Sequence, residues 1–508
     1  MKKAPVQVLR RVMRPIGVIL YGLAGMMLLC AASGVLFHAL GSARPGVDDG
    51  SVINMVVAAA FTAIAATGLR RFGRPVELAD FTRRDAILMT AGIWLASGLF
   101  GALPYVLDAG MTPVDGFFEA ISGFTTTGAT VVDNIEGRNP EGTPSMGLSR
   151  PVLLWRSLTQ WTGGMGIVVL FVAVFPRVGA GGKHLFRAEV PGPTAAGLSP
   201  RIGETAVWLY GMYVGLTVLE IGVLLVLGMD PFEAVCHSFT TVSTGGFSTR
   251  DASVGGFESP AIEVAIALFM IAAGVNFGLY YGVVRARRLK LFFQSSELRA
   301  YLLLVTAVTV GLTLFNLPLH EGRVLDSARY ALFSVGTFIT STGYGTEDYM
   351  AYPPISLALV FLLMWVGGCA GSTAGGIKVA RVVLVLQTLV AQVKRSVRPN
   401  VIQVVRMGDK RVADSLLLEV SAFICLYVAS VFVFTGLLSW MEGIELGKSF
   451  GATLTSISNM GPAPYHGGTD NFVAYSDPAK LMVSFEMVLG RLEFMTLLAL
   501  VMPEVWED

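Results

Sequence analysis

Charged residues are scarce in this chain. Lysine, arginine, aspartate and glutamate together make up only 14% of its 508 residues, whereas 53% of the residues are hydrophobic. A soluble globular domain of this composition would expose apolar side chains over much of its surface and would be insoluble. The composition therefore argues against a soluble protein and predicts an integral membrane protein.

Residues that could carry out chemistry or hold a metal are also few. Each cysteine is isolated in an apolar stretch, without the spacing of a metal site or a disulfide framework; the four are Cys30, Cys236, Cys369 and Cys425. The five histidines are scattered as well, and His237 is expected to make a local hydrogen bond. Because histidine, aspartate and cysteine form no cluster in the sequence, a membrane-embedded enzyme is not expected.

Long apolar segments are abundant. A membrane-spanning helix needs about 20 predominantly apolar residues, and ten segments are predicted to span. They are 16–40, 52–69, 86–107, 151–176, 205–228, 261–284, 298–317, 355–395, 415–440 and 480–502. The first comes after a basic N-terminus, but its length and the lack of a small-residue cleavage pattern favour a retained helix over a signal peptide. The segment 355–395 is too long for one span and is predicted to be broken.

A short glycine-containing element occurs four times between these segments. Glycine permits unusual backbone dihedrals, so consecutive carbonyl oxygens can turn inward and replace the water around a cation. The third copy lies within T-S-T-G-Y-G at 340–345, which is close to the T-V-G-Y-G of potassium channels. The predicted ion-binding residues are Thr126, Thr127, Gly128 and Ala129; Ser243, Thr244, Gly245 and Gly246; Ser341, Thr342, Gly343 and Tyr344; and Ser458, Asn459, Met460 and Gly461.

Each of these elements, called filters below, comes directly after a short run that is predicted to be a re-entrant helix. The runs are 115–125, 231–242, 326–338 and 447–457, and the first two share Phe-Glu-Ala at 118–120 and 232–234. Non-helical backbone at membrane depth is tolerated only where protein buries it or where it lines a water-filled cavity. The partly negative C-terminal ends of the short helices would face that cavity, which favours a cation as the permeant species.

The predicted fold class is an all-α integral membrane protein. Four pseudo-repeats of helix, re-entrant pore helix with filter loop, and helix would surround one central pore, and two N-terminal helices would lie outside it. The predicted divisions are 1–85 for the N-terminal helices, 86–203, 204–297, 298–411 and 412–508 for the four pore repeats, the third with an intramembrane gating loop.

The distribution of basic residues predicts the orientation. Of the 37 lysines and arginines, 27 lie in the N-terminal tail and in the loops 70–84, 177–201, 285–299 and 378–411. These segments alternate with the loops that contain the filters. The positive-inside rule then places both termini in the cytoplasm and all four filters near the outer face.

Two further features suggest a gate. Glycine inside a helix costs about 1 kcal/mol relative to alanine, so the glycine-dense stretch 367–376 is predicted to be a loop beneath the third filter rather than a helix. A glycine-rich nucleotide loop is the alternative, but no strand precedes it. Arg491 lies in the apolar run 482–502, where an ionisable group normally faces the bundle interior or a wet cavity. It would either pair with Glu493 or face the pore below the filters as a barrier to cations.

Several motifs together resemble the TrkH subunit of bacterial Trk potassium uptake systems, in the superfamily that also contains the KtrB and plant HKT transporters. The motifs are Q-W-T-G-G-M-G at 160–166, R-A-E-V-P-G-P at 187–193, T-G-G-F-S at 244–248, G-G-C-A-G-S-T-A-G-G-I-K at 367–378, S-N-M-G-P at 458–462 and G-R-L-E at 490–493. The resemblance covers essentially the whole chain, and the two extra N-terminal helices suit TrkH better than the shorter KtrB.

The resemblance implies one pore per chain, a homodimer in the bacterial inner membrane, and K⁺ as the permeant ion. It implies that Gly128, Gly245, Gly343 and Gly461 are the selectivity glycines. It also implies a gate, whose candidate residues are Gly371, Ser372, Thr373, Ala374, Gly375, Gly376, Lys378 and Arg491. The implied cytoplasmic partner is a TrkA-like ring that binds NAD(H), ATP or ADP, whereas this chain itself has no nucleotide motif and no expected nucleic-acid partner.

An alternative function and the geometry of one filter stay open at this point. Broken helices at the membrane midplane are also used by ion-coupled secondary transporters, so H⁺- or Na⁺-coupled transport of potassium or another solute is the second hypothesis. The fourth filter lacks threonine and contains Pro462, next to Ala463, so its carbonyl geometry and selectivity are expected to differ from those of the others.

Overall fold

The chain folds into a mainly helical membrane protein, which confirms the predicted all-α fold class. The computed structural model describes residues 5–41, 48, 50–74, 82–137, 147–166, 202–398, 404–408, 410–461, 471–492, 494 and 502. Three parts of the predicted motifs lie outside these residues: 187–193, Pro462 with Ala463, and Glu493.

Within the described residues there are eighteen α-helices and two pairs of very short strands. The helices are α1 Pro5–Ala39, α2 Ser51–Phe72, α3 Arg83–Gly101, α4 Leu103–Leu107, α5 Pro113–Phe124, α6 Arg150–Gly164, α7 Ile202–Val226, α8 Pro231–Val242, α9 Pro260–Ala273, α10 Phe277–Ala286, α11 Lys290–Gln294, α12 Ser296–Phe315, α13 Val324–Ile339, α14 Pro354–Trp365, α15 Val379–Val397, α16 Asp414–Glu442, α17 Leu446–Ile457 and α18 Asp477–Arg491. The strands are β1 Val366–Gly367, β2 Ile377–Lys378, β3 Arg406–Met407 and β4 Lys410–Arg411. β1 pairs with β2 in parallel, and β3 pairs with β4 antiparallel.

Among the described residues, six helices are long and apolar enough to cross a membrane, and a bent pair adds a seventh candidate. The six fall in the segments predicted at 16–40, 52–69, 86–107, 205–228, 298–317 and 415–440. Many of their apolar side chains are exposed, as Leu303, Leu418 and Phe432 are. Such an exposed apolar surface is compatible with lipid and not with water.

The helices that come after the filters differ from the prediction, because none is a continuous span. The predicted helix 151–176 ends at Gly164, and residues 167–176 lie outside the described part. The segment 261–284 bends by 86° between α9 and α10. In the segment 480–502 the helix ends at Arg491, and most residues beyond that point lie outside the described part. Only the break within 355–395 was predicted.

Glycines bring three of these broken helices against the short helices. A Cβ added to Gly163 would overlap the carbonyl oxygen of Phe124 at the end of α5. Likewise, a Cβ on Gly490 would overlap the carbonyl of Ile457 at the end of α17, and one on Gly274 would lie 2.8 Å from the Thr340 methyl group. The helices can approach this closely only because these residues lack a side chain.

The four short helices lie where the sequence placed them, as α5, α8, α13 and α17. α5 and α8 begin alike, because a capping side chain precedes a proline at the first helical position. Thr112 accepts the N–H of Asp115, and Asp230 accepts those of Phe232 and Glu233. Proline fits there because its missing N–H would have no intrahelical partner. The N-terminal hairpin of α1 and α2 packs against α3 and α6.

Candidate ion pathway and gate

The four filters share one backbone conformation. Each has a non-glycine residue with φ between 53° and 55° and, two residues later, a glycine with φ between 80° and 92°. The first positions are Thr126, Thr244, Ser341 and Asn459, and the second are Gly128, Gly246, Gly343 and Gly461. Positive φ is unusual for threonine and serine, so the surrounding structure must hold these turns in place.

Backbone hydrogen bonds repeat with the same spacing. In each filter the residue between the two positive-φ positions donates its N–H to the carbonyl five residues earlier. The pairs are Thr127 to Ser122, Gly245 to Thr240, Thr342 to Thr337 and Met460 to Thr455, all at 2.8–2.9 Å. The four short helices therefore end in the same turn, and the residues after each turn are structurally equivalent.

This equivalence corrects the sequence alignment of the second filter. Gly246, and not Gly245, has the positive φ and the position that correspond to Gly128. The shared Phe-Glu-Ala motif is also misaligned, since Glu119 corresponds to His237 rather than to Glu233. Glu119 accepts the hydroxyl of Thr130 at 3.0 Å, and His237 Nε2 lies 3.0 Å from the hydroxyl of the equivalent Ser248.

The filters close on one another through the positive-φ glycines. A Cβ added to each of three glycines would meet the carbonyl oxygen of the neighbouring filter inside van der Waals distance. The pairs are Gly128 against Gly245, Gly246 against Thr342 and Gly461 against Thr127. These contacts link filter 4 to 1, 1 to 2 and 2 to 3, so backbone carbonyls of successive filters lie side by side.

A buried charged network supports filters 1 and 2 from behind. The Nε of Arg156 lies 2.6 Å from the Glu119 carboxylate, and both side chains are almost fully buried. Arg156 also donates to the hydroxyl of Thr130 and to the carbonyl of Ser248, both at 3.1 Å. One turn further along α6, Gln160 donates to the carbonyl of Gly245 at 2.7 Å. Sequence reasoning missed both α6 residues, although a charged residue inside a predicted span was the signal that singled out Arg491.

Filters 3 and 4 are supported by uncharged groups. The Thr337 hydroxyl donates to the carbonyl of Tyr344 at 3.0 Å, and the Tyr344 hydroxyl lies against Thr240 behind filter 2. In filter 4, Asn459 Nδ2 donates to the hydroxyl of Thr127 at 3.0 Å and to the carbonyl of Met487 at 2.8 Å. The asparagine of the atypical fourth filter therefore ties that filter to filter 1.

The glycine-rich stretch is a loop between α14 and α15, as predicted. Its first half, residues 367–372, is hydrogen-bonded to the break between α9 and α10. Cys369 donates its N–H to the carbonyl of Gly274 at 2.8 Å, and Phe277 donates to the carbonyl of Gly371 at 3.0 Å. The N–H of Ala370 lies 2.6 Å from the carboxylate of Glu297 at the start of α12. The loop is therefore held against the break between α9 and α10 and against the start of α12.

The second half of the loop, residues 373–378, contacts the end of α8 and the first residues of filters 3 and 4. The N–H of Gly375 donates to the Ser341 hydroxyl at 2.6 Å, and the Thr373 hydroxyl donates to the carbonyl of Val242 at 3.0 Å. A Cβ on Gly375 would overlap the carbonyl of Ser458. The amine of Lys378 is turned back onto the carbonyl of Ala374, inside the loop. The loop thus lies directly beneath filters 3 and 4.

Arg491 lies at the C-terminal end of α18 and is surrounded by acceptors from filter 1, from the end of α6 and from the glycine-rich loop. It donates to the hydroxyl of Thr126 at 3.1 Å and to the carbonyl of Thr373 at 3.0 Å. It also donates to the carbonyls of Gly163 and Gly164 at 2.6 and 2.8 Å, at the C-terminal end of α6. Helix C-termini attract cations, which explains this position. The guanidinium thus joins the loop to filter 1, and the alternative pair with Glu493 lies outside the described residues.

Beyond filter 3, an acidic group lies where the chain leaves the filter. Glu347 accepts the hydroxyl of Tyr352, which also lies 2.8 Å from the Ser334 hydroxyl on α13. His320 Nε2 lies 3.8 Å from the same carboxyl group. Burial raises the pKa of Glu347, and the hydrogen bond from Tyr352 partly offsets that effect.

Known proteins match this chain over most of its length. The TrkH family profile, described as cation transport protein, matches residues 52–506. The Trk system potassium uptake protein TrkH of Escherichia coli K12 is 35% identical over 455 residues, which cover 88% of this chain and 91% of that protein. Its namesake from Halomonas elongata is 36% identical over 84% of this chain and 87% of that protein. The crystal structure of the potassium transporter TrkH from Vibrio parahaemolyticus superposes with a TM-score of 0.85 at 29% identity, covering 98% of this chain and 99% of that one.

Proposed function

The chain belongs to the TrkH family of cation transport proteins, and on that premise we propose that it carries K⁺ across a bacterial inner membrane through the filters. The relatives that it resembles are named potassium uptake proteins and a potassium transporter. In this proposal both termini are cytoplasmic and the filters lie near the outer face, as the distribution of lysine and arginine predicts.

The close approach of the four filters carries the proposal. Carbonyl oxygens of Thr127, Gly245 and Thr342 lie at the contacts between neighbouring filters. Carbonyl dipoles held in this way can replace the hydration shell of a weakly hydrated monovalent cation without presenting a full negative charge. The proposed selectivity glycines are Gly128, Gly246, Gly343 and Gly461, each of which lacks the Cβ that would narrow the path.

The loop 366–378 and Arg491 form the proposed gate. They lie beneath the filters, and the guanidinium places a full positive charge on the route of a cation, which is an electrostatic barrier in a low-dielectric environment. For the gate to open, the loop must move away from Ser341, and the contact between Thr373 and Arg491 must break. In the proposed assembly the chain is a homodimer, and a TrkA-like cytosolic ring that binds NAD(H), ATP or ADP moves the loop. The pore is proposed to consist of four repeats, with the boundaries 86–203, 204–297, 298–411 and 412–508.

A second candidate function is proton-coupled potassium transport, which one observation favours. The Glu486 carboxyl group on α18 is fully buried, and neither of its oxygens has a hydrogen-bond partner among the described residues. A carboxylate in this position is costly, so the group is suited to carrying a proton. Transport coupled to a proton gradient would use such a group, whereas a simple pore would not need it.

Uptake of ⁸⁶Rb⁺ into vesicles that contain the purified chain tests the proposal. Unlabelled K⁺ should compete at concentrations at least about tenfold lower than Na⁺, because the filter carbonyls are proposed to select the larger ion. Equal competition by Na⁺ would contradict the filter assignment. The same assay with an imposed proton gradient separates the two candidates, since a dependence on the gradient supports coupled transport and independence supports a gated pore.

A further inference from the structure

A cluster of basic residues lies just after the bend that contacts the gating loop. Arg285, Arg287, Arg288 and Lys290 are exposed at the turn between α10 and α11. The sequence contains no acidic residue between Glu263 and Glu297. Among the described residues, no ion pair or side-chain hydrogen bond involves Arg287, Arg288 or Lys290, so their charges are available to an external anion.

Exposed apolar side chains alternate with these cations. Val284, Leu289 and Phe293 are 56%, 74% and 68% exposed. Cations and large apolar groups exposed on one short segment are typical of chains at a membrane boundary, where the charged groups contact lipid headgroups and the apolar groups enter the acyl region. We call residues 284–293 the basic turn.

The position of the basic turn agrees with such a boundary. The Tyr281 ring on α10 lies 5.7 Å from the ring of Trp208 on α7. Trp208 is six residues from the start of α7 at Ile202, which corresponds to about 9 Å along a helix. The Phe277 ring lies 5.9 Å from that of Tyr213, so α10 runs toward the start of α7. The six residues from Tyr281 to Arg287, whose φ of 52° ends α10, likewise correspond to about 9 Å. The basic turn therefore comes level with the end of a membrane-spanning helix.

The same segment is connected to the gate by short contacts. α10 begins at Phe277, which donates its N–H to Gly371 of the loop. The ring of Tyr280 lies 5.8 Å from that of Phe277 and 5.3 Å from that of Phe292 on α11. A displacement of α11 at the membrane surface would therefore reach the loop through two ring contacts and one hydrogen bond.

We propose that the basic turn binds the phosphate headgroups of anionic lipids and that this binding shifts the gating loop. The second part rests on the proposed function, whereas lipid binding does not. The apolar side chains decide between possible anions, because a soluble phosphate or an acidic protein surface would leave Leu289 and Phe293 in water or would have to cover them. An anionic bilayer satisfies the charges and the apolar groups together.

Lipid selectivity can be measured directly with the full chain in vesicles of phosphatidylcholine. The fraction of spin-labelled phosphatidylglycerol that is immobilised by the protein is compared with that of spin-labelled phosphatidylcholine by electron paramagnetic resonance. The wild type should prefer phosphatidylglycerol, and R287Q/R288Q should lower that preference at least about threefold. The matched control is R71Q/R74Q, which removes two exposed cations beside the exposed Phe72 at the end of α2 and should lose less preference.

Transport supplies the second readout. ⁸⁶Rb⁺ uptake should change at least about twofold when phosphatidylglycerol replaces a third of the phosphatidylcholine, and R287Q/R288Q should abolish this dependence while R71Q/R74Q retains it. Equal lipid preference in all three proteins would overturn the proposal. So would lipid-independent flux in the wild type, a response to soluble glycerol phosphate in place of lipid, or an R287Q/R288Q defect confined to binding an acidic cytosolic protein. Loss of rubidium selectivity with intact lipid preference would instead contradict the proposed function alone.

Discussion

The filters and the loop beneath them are both rich in glycine, and glycine allows close backbone approach in both, but the contacts around the glycines differ. In the filters, Gly128, Gly246 and Gly461 let neighbouring backbones meet, and buried side chains hold that arrangement from behind. In the loop, Gly371 and Gly375 allow a short chain to fit under the filters. The comparison shows that glycine content alone does not distinguish a rigid site from a displaceable one, whereas the surrounding contacts do.

The difference is energetic. Filters 1 and 2 are braced by a buried ion pair, and breaking such a pair from one side typically costs about 3–5 kcal/mol. The loop is held by single hydrogen bonds to several different elements, each of which contributes about 0.5–1.5 kcal/mol net. Moving Gly375 away from Ser341 breaks one such bond, which costs less than breaking the ion pair behind filters 1 and 2 and suits the end of a gating loop.

The largest predicted effect concerns the brace behind the filters. Arg156→Met should lower the free energy of unfolding by about 3–5 kcal/mol, because Glu119 would remain buried without its cation. Thermal unfolding in detergent measures this effect. Arg250→Met is the matched control, since the Arg250–Glu233 pair is partly exposed and should contribute about 1 kcal/mol or less. Equal destabilisation by the two substitutions would show that the buried Arg156–Glu119 pair stabilises filters 1 and 2 no more than a partly exposed ion pair would.

The next largest effect should come from Gly246→Ala. The added methyl group would overlap the carbonyl of Thr342 and strain a residue with positive φ, so rubidium uptake should fall about 100-fold, or about 2.7 kcal/mol in barrier height. Gly211→Ala on α7 is the control, because nothing lies within 4 Å of its added Cβ and uptake should not change. Unreduced uptake by Gly246→Ala would contradict the assignment of Gly246 as the glycine equivalent to Gly128.

Replacing a glycine of the loop by alanine should raise rubidium uptake, whereas the same replacement in filter 2 should lower it. Gly375→Ala places a methyl group against the carbonyl of Ser458, so the loop must move away from the filters. Rubidium uptake in vesicles without a cytosolic partner should rise about fivefold, which corresponds to about 1 kcal/mol of lost closure. A fall in uptake would mean that the loop is part of the permeation path itself and not its gate.

The smallest effect concerns Glu347, which lies just after filter 3. Because burial raises the pKa of Glu347, the folded protein binds a proton more tightly than the unfolded chain. This carboxyl group therefore lowers stability as pH rises from its ordinary value through the raised one, and it has no such effect at lower pH. Glu347→Gln should flatten that part of the curve of thermal stability against pH. Parallel curves for the variant and the wild type would contradict the assignment.

The sequence predicted most of the helices and the positions of the four glycine-containing turns, because apolar length and repeated glycine report directly on spanning helices and on backbone conformation. It placed the second filter one residue early, since Gly245 and Gly246 are adjacent and only φ distinguishes them. The break at Gly274 was missed although the sequence carried a signal for it, because Gly274, Asn276 and Gly278 lie close together and Asn276 is a typical helix N-cap. The length and apolar character of the segment 261–284 outweighed that signal in the prediction.

Contacts with backbone atoms could not be predicted at all. Arg491 was recognised as unusual, but its carbonyl partners, Gly163, Gly164 and Thr373, are far away in sequence and carry no side-chain signal. Arg156 could have been found by the same reasoning, since it is a charged residue in a predicted span. Its role as a brace depends on Glu119 and Ser248, which only the fold brings together.

The most direct test of the central claim, that ions pass the filters and then the loop, is rubidium uptake by the double variant Gly246→Ala/Gly375→Ala. Two barriers in series cannot compensate each other, so opening the loop should not rescue a blocked filter. The double variant should therefore take up rubidium as slowly as Gly246→Ala alone. Uptake restored toward that of Gly375→Ala would show that ions bypass the filters, and the account would be wrong.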